Sequence, residues 1–388
     1  MKFCLIFLIF CFQIVANEKK VYRNKLQNLE FDKEAPQNSD LERATIAKEQ
    51  GASEDQNFEV QLTPSKTDSS VCFGIKLVAN FPVDVATFNR LLEKDHICLE
   101  TSNLKQFQLA WKKKKESKIF RGFQAPAYLH ESPKKIFFWN IKREHRKYFD
   151  FSEFPKNTFI LFLWEPPIIL PKMYEKKNFK QFSKIYTWDD DLVDNKKFFK
   201  FYYPVLLPMI ENPVPFEEKR LCTMVASNKK NHHPKELYSE RKKVIEFFEM
   251  QEGDDFIFYG NYWSCDEYRN YRGVVADKIA TVKDYRFCFC YENMRDIKGY
   301  VTEKIFDAFA AGTVPIYWGA ANIENFVPDD CFIDKRKFSS LEDLYSFLKN
   351  MKKDEYENYL HRIREYLKTD KAKLFSQESF VQLIANSI

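Results

Sequence analysis

The stretch Tyr285–Gly319 constrains the fold of this 388-residue chain more than any other. Tyr285–Tyr291 is a short apolar and aromatic run between polar residues, which is typical of a buried strand. After a polar loop, Thr302 suits the N-cap of a helix and Gly312 its left-handed stop. Thr313–Trp318 predicts a second strand. A strand-helix-strand unit of this kind predicts a parallel sheet.

The start of this helix predicts a binding site for an anion. Open α/β folds hold ligands at the carboxyl edge of the sheet, and the positive end of a helix attracts negative charge. Lys304 adds a full charge, Tyr300 offers a ring and a hydroxyl, and the Glu303 carboxylate accepts hydrogen bonds from sugar hydroxyls. The three side chains therefore suit a nucleotide sugar. The alternative, in which Glu303 only complements the helix dipole and Lys304 is solvated, stays open on the residues alone.

The segment Phe289–Gly319 resembles the donor-binding motif of the α-1,3/4-fucosyltransferases, which form glycosyltransferase family 10. The likeness is carried by Tyr300-Val301-Thr302-Glu303-Lys304, by Glu292-Asn293 before it and by Val314-Pro315-Ile316 after it. In that family the Tyr, Glu and Lys contact GDP-fucose. The loop before the tyrosine is one residue longer here than the usual spacing. The resemblance implies donor-binding roles for Glu292, Asn293, Tyr300, Thr302, Glu303 and Lys304.

A candidate base follows the strongest strand of the first half, Thr158–Trp164, which is apolar throughout and so predicted to be buried on both faces. Pro166 and Pro167 stop the strand and hold Glu165 at the carboxyl edge of the sheet. A carboxylate at such a place suits general base catalysis, and a surface glutamate is the alternative. Family 10 sequences have a similar turn whose glutamate is proposed to deprotonate the acceptor hydroxyl. The resemblance implies that catalytic role for Glu165.

A candidate phosphate ligand, Arg241, lies on the helix after the predicted strand Leu221–Ala226. In family 10 a strand, a Ser-Asn pair and a helix of this kind supply an arginine to the donor diphosphate, and the planar guanidinium suits that group. A solvated arginine is the alternative. Arg241 and Lys304 would together form a cationic notch that neutralises the leaving nucleotide.

No metal site is predicted from the sequence. Asp189-x-Asp191 has the form of a metal-binding DxD, but the pattern is short and common, and a turn or helix cap is the favoured interpretation. His232-His233 has no third ligand in view. No cofactor is required if cationic side chains do the phosphate work, although stimulation by a divalent metal remains compatible with the pattern.

The chain's N-terminus predicts a leader and a stem. Residues 1–16 contain one lysine and then the apolar run Phe3–Phe12, which is short for a membrane span and right for the core of a signal peptide. Ala16 offers a small residue for cleavage, but Ile14 suits the cleavage site poorly, so an uncleaved signal anchor stays open. Asn17–Ser70 is polar, has few aromatics and lacks the apolar content for a core. It predicts a stem or linker.

Charge and cysteines exclude some functions. The net charge of +5 is modest and Lys and Glu are interleaved, so the short run Lys112–Lys115 predicts a solvated face and no nucleic-acid partner.

Seven of the nine cysteines lie beyond the leader, an odd number. Cys288 and Cys290 point to one face of a strand and are too close along it to bridge each other. Buried small hydrophobic residues are the expected role for most of them.

The element order predicts an α/β fold of the GT-B type, with two Rossmann-like domains facing across a cleft. Residues 71–210 would hold the acceptor and residues 211–388, with C-terminal helices, would bind GDP-fucose; the proline-rich segment Pro204–Pro215 is the linker. Asn80–Leu92 and Thr101–Lys115 predict helix or loop. The remaining predicted elements are the strands Val71–Ala79, Lys135–Asn140, Ile185–Trp188 and Asp255–Tyr259 and the helices Leu341–Met351 and Asp354–Leu367.

The resemblance implies inverting transfer of fucose from GDP-fucose to a hydroxyl of a glycan acceptor on a glycoprotein, glycolipid or polysaccharide, α-1,3-linked to GlcNAc or Glc. The leader predicts a secretory pathway and membrane association through the N-terminus; the Golgi membrane or lumen is the expected location, with a bacterial envelope as the alternative. Two other functions stay open: a secreted pseudoenzyme that binds a carbohydrate or nucleotide sugar, and a GT-B transferase with another nucleotide sugar.

Overall fold

A computed structural model of the chain describes residues 4–10, 97–103, 135–140, 151–153 and 155–387. The predicted stem, the predicted strand Val71–Ala79 and the basic run Lys112–Lys115 lie outside these residues.

The first sheet has six parallel strands in the order β2-β1-β3-β4-β5-β6. They are β1 Cys4–Phe10, β2 Ile97–Asn103, β3 Lys135–Trp139, β4 Phe159–Leu163, β5 Lys184–Thr187 and β6 Phe198–Lys200. The strands predicted around residues 135–140, 158–164 and 185–188 are confirmed.

The second sheet has five parallel strands in the order β11-β10-β9-β7-β8. They are β7 Arg220–Val225, β8 Phe256–Tyr259, β9 Tyr285–Tyr291, β10 Val314–Trp318 and β11 Ile333–Asp334. The strand-helix-strand unit predicted from residues 285–319 is confirmed, with its two strands adjacent and parallel.

Seven α-helices lie in the described part of the chain, all after the first sheet. They are α1 Tyr238–Glu249, α2 Lys278–Val282, α3 Glu303–Ala310, α4 Leu341–Asn350, α5 Lys353–Leu367, α6 Asp370–Lys373 and α7 Gln377–Ala385. Short 3-10 helices cover Phe151–Glu153, Lys156–Thr158, Pro171–Tyr174, Lys176–Phe179, Ile323–Asn325, Asp329–Cys331 and Lys335–Lys337. None of the described helices has both the length and the apolar composition that a membrane span requires.

Both sheets have the same doubly wound order. Numbered along the chain within each sheet, the order begins 2-1-3-4-5, so the sequence of strands reverses between the first and third strand of each. Ligands of such sheets bind outside the carboxyl ends of the strands at this reversal. In the second sheet the reversal lies between β7 and β9, which lead to α1 and to the loop before α3. The predicted α/β fold with two Rossmann-like domains, each built on a parallel sheet, is confirmed.

Two stretches differ from their predicted structure. The apolar run that predicts a leader forms β1, paired on both sides in the first sheet. A short apolar segment suits a signal-peptide core and a buried strand equally well, because both need the same residues. The prediction of helix or loop is wrong for Thr101–Asn103, which end β2. Their strand structure comes from pairing with β1, a contact distant in sequence.

The core forms on both faces of the first sheet because β4 alternates between them. Ile160 and Phe162 face one cluster, which continues into the second domain, while Leu161 and Leu163 face a smaller cluster on the opposite side. Each of these side chains is almost fully excluded from solvent. The continuous cluster joins the two domains through apolar packing. The prediction that this strand is buried on both faces is therefore confirmed.

The buried thiols match their predicted role. Cys222, Cys288, Cys290 and Cys331 are buried and free, and Cys265 is exposed and free. Cys288 and Cys290 do not bridge each other, as predicted.

The carboxyl edges of the two sheets meet at a seam. Trp188, which follows β5, packs its ring 4.5 Å from that of Tyr300. Gly299 beside it has φ +80°, and a Cβ there would lie 2.3 Å from the Trp188 carbonyl oxygen. Only glycine fits this backbone conformation and this close approach.

The last helix crosses the predicted boundary between the domains. The strands of the two sheets fall on either side of residues 210 and 211, but α7 returns to the first sheet. Its Phe380 packs against the rings of Trp139, Phe162, Trp164 and Phe201.

Replacing Gly299 with alanine should destabilise the seam. The new Cβ meets a backbone oxygen that cannot swing away, so we expect a loss of more than about 2 kcal/mol in the free energy of unfolding, measured by chemical denaturation. Gly253→Ala is the matched control, because Gly253 has φ +86° with nothing within 4 Å of its Cβ position. That change should lower the free energy of unfolding by only about 1 kcal/mol, which is the strain of an alanine in a left-handed backbone conformation. Equal losses in the two variants would contradict the close approach.

Candidate functional site

Glu292 organises the start of α3 from the end of β9. Its side chain is 0% exposed. Its Oε1 accepts hydrogen bonds from the Thr302 backbone N–H at 2.8 Å and the Thr302 hydroxyl at 2.9 Å. Its Oε2 accepts one from Lys304 Nζ at 3.0 Å. An internal carboxylate therefore pairs one backbone N–H at the start of this helix, so that part of the predicted anion site is already occupied by the protein itself.

Lys304 is anchored on three oxygens. Its Nζ also donates to the Thr302 hydroxyl at 2.9 Å and to Glu303 Oε1 at 3.4 Å. Burial lowers the pKa of Lys304, but Glu292 and Glu303 outweigh it and the net shift is upward. The side chain is 20% exposed, so the ammonium is charged, fixed and within reach of a ligand.

Arg241 on α1 is buried and directed at the loop after β9. One guanidinium nitrogen, Nη2, donates to the carbonyl oxygens of Tyr291 and Glu292 at 2.6 and 2.7 Å and to Asn293 Oδ1 at 3.1 Å. Within the described residues, Nε and Nη1 make no hydrogen bond. Burial lowers the pKa of Arg241 from its ordinary value. One of the three guanidinium nitrogens thus holds the loop, and the other two keep donors for an anion.

Asn293 connects Arg241 to Tyr300. Its amide oxygen accepts the bond from Arg241, and its Nδ2 lies 3.4 Å from the Tyr300 hydroxyl. Its backbone oxygen accepts from the Leu237 N–H at 3.1 Å, which ties the start of α1 to the same loop. Tyr300 is buried at the seam against Trp188. The predicted donor-binding residues are therefore brought together around one loop.

Glu303 faces outward more than its neighbours, with a side chain 44% exposed. Burial of part of the group opposes ionisation, but the charges of Lys304 and Lys278 prevail and lower the pKa of Glu303 to about 2. Lys278 on α2 also pairs with Asp307 at 2.6 Å. Sequence reasoning did not find Lys278, because it reaches Glu303 and Asp307 from a separate helix.

The predicted cationic notch is less positive than expected. Arg241, Lys304 and Lys278 supply three positive charges, while Glu292, Glu303 and Asp307 supply three negative ones. The physical reason is that cations this buried need paired carboxylates to remain charged. Without a ligand the site is close to neutral, and directed donors rather than net charge distinguish it.

The turn that carries Glu165 is fixed by a side chain from the neighbouring strand. Asn140, the residue after β3, accepts hydrogen bonds on its Oδ1 from the backbone N–H groups of Trp164 and Glu165, both at 2.9 Å. It has φ +55°, a left-handed conformation that asparagine tolerates well. The Tyr174 hydroxyl donates to the Glu165 carbonyl oxygen at 2.8 Å. Sequence reasoning missed Asn140, although an asparagine directly after a strand was an available signal.

Glu165 lies half-buried at the seam and acts electrostatically on residues of both domains. Burial raises the pKa of Tyr203, and Glu165, Glu292 and Glu303 add to that increase. Burial also raises the pKa of Tyr300, again with contributions from Glu165 and from Glu292. The Glu165 carboxylate is therefore close enough to Tyr203 and Tyr300 to affect their ionisation.

The Asp189–Asp191 triplet forms a turn and a clamp between the domains. Asp189 Oδ1 accepts the Asp191 N–H at 3.0 Å, which is the turn favoured by the sequence. Asp190 pairs with Lys200 at 2.5 Å and accepts from Asn322 at 3.0 Å, while Asp191 pairs with Lys298 of the second domain at 2.8 Å. Among the described residues, no group of three or more His, Cys, Asp or Glu side chains is arranged to hold a metal ion.

The residues around this site match a known family. Residues 215–384 fit the family model described as glycosyltransferase family 10 (fucosyltransferase), C-terminal. Over these residues the chain is similar to the family 10 glycosyltransferases.

Relatives of the family 10 domain include fucosyltransferases from animals and plants. The mouse 4-galactosyl-N-acetylglucosaminide 3-alpha-L-fucosyltransferase 9 is 33% identical over 143 residues, 36% of this chain and 35% of the relative. The alpha-(1,4)-fucosyltransferase of Arabidopsis thaliana is 43% identical over 70 residues, 18% of this chain and 17% of the relative. This chain thus matches about a third of the animal relative's length. A crystal structure of an alpha1,3-fucosyltransferase with GDP-fucose aligns over 80% of this chain and 94% of its own, with 17% identity and a TM-score of 0.42.

Replacing Asn140 with alanine should loosen the Glu165 turn. Two part-buried N–H groups lose their acceptor, so we expect the free energy of unfolding to fall by roughly 2–4 kcal/mol in a denaturant titration. Asn195→Ala is the control, because Asn195 has the same φ of +55° but is exposed, and its side chain makes no hydrogen bond to a described residue. It should lose only about 1 kcal/mol. Asn140→Asp, which keeps the acceptor oxygen, should restore most of the loss; no recovery would contradict the assignment.

The depressed pKa of Glu303 predicts a contribution to acid stability. Its ordinary value is 4.5 and its folded value about 2, so the stabilisation is complete above pH 4.5 and is lost as the pH falls toward 2. In Glu303→Gln the free energy of unfolding should therefore decrease less steeply between pH 4.5 and 2 than in the wild type. Glu252→Gln, at an exposed position, should follow the wild-type curve. Parallel curves for Glu303→Gln and the wild type would refute the pairing with Lys304 and Lys278.

Proposed function

We propose that this chain is an inverting fucosyltransferase that moves fucose from GDP-fucose to a hydroxyl of a glycan. The observation that carries the proposal is at the seam, where Glu165 follows a strand of the first sheet and affects Tyr300, while Arg241 and Lys304 are held by Glu292 on the loop that leads to Tyr300. One domain offers a carboxylate that can take a proton, and the other offers donors for a diphosphate. The family 10 match and the fucosyltransferase relatives support the same reaction.

In the proposed reaction the acceptor hydroxyl attacks C1 of fucose from the face opposite GDP. Its proton passes to Glu165. The bond between C1 and the β-phosphate oxygen breaks, and its electrons leave with GDP. Since one displacement occurs at C1, the configuration at that carbon inverts.

The negative charge that develops on GDP needs nearby hydrogen-bond donors. Arg241 has more unused donors than Lys304. Its Nε and Nη1 make no hydrogen bond to any described residue, and its Nη2 bonds keep the guanidinium rigid. Lys304 would reach a phosphate by giving up its longest contact, the 3.4 Å bond to Glu303. Glu303 would then be released toward a fucose hydroxyl or the positive charge that grows on the ring. No metal ion is required if these cationic side chains stabilise the phosphate charge, and stimulation by a divalent ion is compatible with the same reaction.

The finer features of the proposal follow the resemblance. The acceptor is a glycoprotein, glycolipid or polysaccharide glycan, and the new linkage is α-1,3 to GlcNAc or Glc. The reaction would take place in a secretory pathway, at the Golgi membrane or in its lumen, with a bacterial envelope as the alternative. A glycan array incubated with the full chain and labelled GDP-fucose would identify the acceptor.

Replacing Glu165 with glutamine should abolish transfer but leave nucleotide binding intact. The amide keeps the size of the side chain and cannot accept the proton, so we expect the transfer rate to fall by at least about 100-fold while the Kd for GDP stays within about twofold. Rates are measured with labelled GDP-fucose and binding by calorimetry. Glu211→Gln, at an exposed position of the linker, is the control and should keep the wild-type rate.

Two outcomes would overturn the proposal. If the wild type binds GDP-fucose tightly but transfers nothing to any glycan, the chain is a binding module and not an enzyme. If another nucleotide sugar competes better than GDP-fucose in the transfer assay, the donor assignment is wrong and only the fold-level statement remains.

A further inference from the structure

Tyr238, the first residue of α1, carries a buried hydroxyl that the mechanism above does not use. The residue is 5% exposed. Its hydroxyl oxygen is shielded from solvent and makes no hydrogen bond to any described residue. A buried hydroxyl without a partner is unfavourable, and this one belongs to a ring that contacts Arg241, a proposed phosphate ligand.

The charges around this hydroxyl come from both domains. Burial raises the pKa of Tyr238, Arg241 and Lys304 oppose that increase, and Glu165 and Glu236 add to it. The net shift is upward, so at neutral pH the group is a protonated hydroxyl and can donate a hydrogen bond. The same hydroxyl is thus influenced by the proposed base and by both proposed phosphate ligands.

The ring is held in place before any ligand arrives. The Arg241 guanidinium carbon lies 5.2 Å from its centroid. The preceding residue, Leu237, donates its N–H to the Asn293 carbonyl oxygen at 3.1 Å. A hydroxyl fixed in this way binds without the entropic cost of ordering a mobile side chain.

We propose that the Tyr238 hydroxyl donates a hydrogen bond to a phosphate oxygen of the nucleoside diphosphate, beside the guanidinium of Arg241. An anionic oxygen is the acceptor that suits a neutral donor next to a cation. The assignment rests on the proposed function and adds a substrate-binding residue to it. It also explains why an otherwise costly polar group is retained beside the site.

Tyr238→Phe tests the proposal because it removes one oxygen and keeps the ring and its contact with Arg241. In the ligand-free protein the change deletes an unpartnered group, so the melting temperature should stay the same or rise. With GDP, calorimetry should give a Kd about 10-fold or more above that of the wild type, as expected for one lost bond to a charged acceptor. The stabilisation of the protein by saturating GDP should fall correspondingly.

Tyr366→Phe is the matched control. Tyr366 on α5 also has a buried hydroxyl without a partner among the described residues, and its ring packs against Phe309. Removing this hydroxyl should leave the Kd for GDP unchanged.

The outcomes separate this proposal from the proposed function. An unchanged Kd for GDP in Tyr238→Phe overturns the assignment of Tyr238 and leaves the fucosyltransferase proposal standing. A loss of affinity for GDP-fucose but not for GDP also overturns it, because the contact would then be to the sugar. A lowered melting temperature of the ligand-free variant with unchanged affinity would assign the hydroxyl a structural role. Failure of the wild type to bind GDP at all would overturn both proposals.

Discussion

The buried carboxylate of Glu292 is the interaction on which the arrangement of the second domain's site depends. It follows the carboxyl end of β9, which is buried except for the partly exposed Arg286, and meets the amino end of α3, where backbone N–H groups lack partners within the helix. By accepting from Thr302 and Lys304 it pairs one backbone N–H of that helix end and fixes the lysine in the same step. Gly319 gives it room, because a Cβ there would lie 2.5 Å from its Cγ. The doubly wound order of the strands brings these groups and Arg241 to one place, since the loops after β7 and β9 are neighbours where the strand order reverses.

This arrangement changes how the site would recognise a nucleotide. A pocket with a strong positive field would attract any anion, whereas this cluster is nearly balanced in charge before a ligand binds. Selectivity would therefore come from the fixed direction of a few donors, chiefly the two guanidinium nitrogens of Arg241 that do not bond to the loop. Such donors require little reorganisation when charge develops during a reaction, which is the condition for effective electrostatic stabilisation. The disadvantage is that each buried ion depends on its partner. Loss of one of these residues leaves the opposite charge buried and unpaired.

The sequence predicted best those features that depend on neighbours along the chain. The apolar run of β9, the cap residue Thr302 and the stop at Gly312 are local signals, and the structure reproduces the unit that they define. Features set by distant contacts were not predictable in this way. The partner strands of β1, the two N–H groups held by Asn140 and the close approach at Gly299 all follow from packing between separate segments. For the candidate site the residue types were predicted, but the internal pairing of Glu292 was not, because a sequence does not say which carboxylate faces which cation.

The return of α7 to the first sheet has a consequence for the order of folding. The aromatic face formed by Trp139, Phe162, Trp164 and Phe201 receives Phe380 from a helix that begins at Gln377. During synthesis this face emerges from the ribosome well before its cover does, while the whole second domain is still to be made. The nascent first domain would therefore carry an uncovered patch of aromatic rings, the kind of surface that chaperones bind. The first domain therefore completes its core only after α7, at the end of the second domain, has been synthesised.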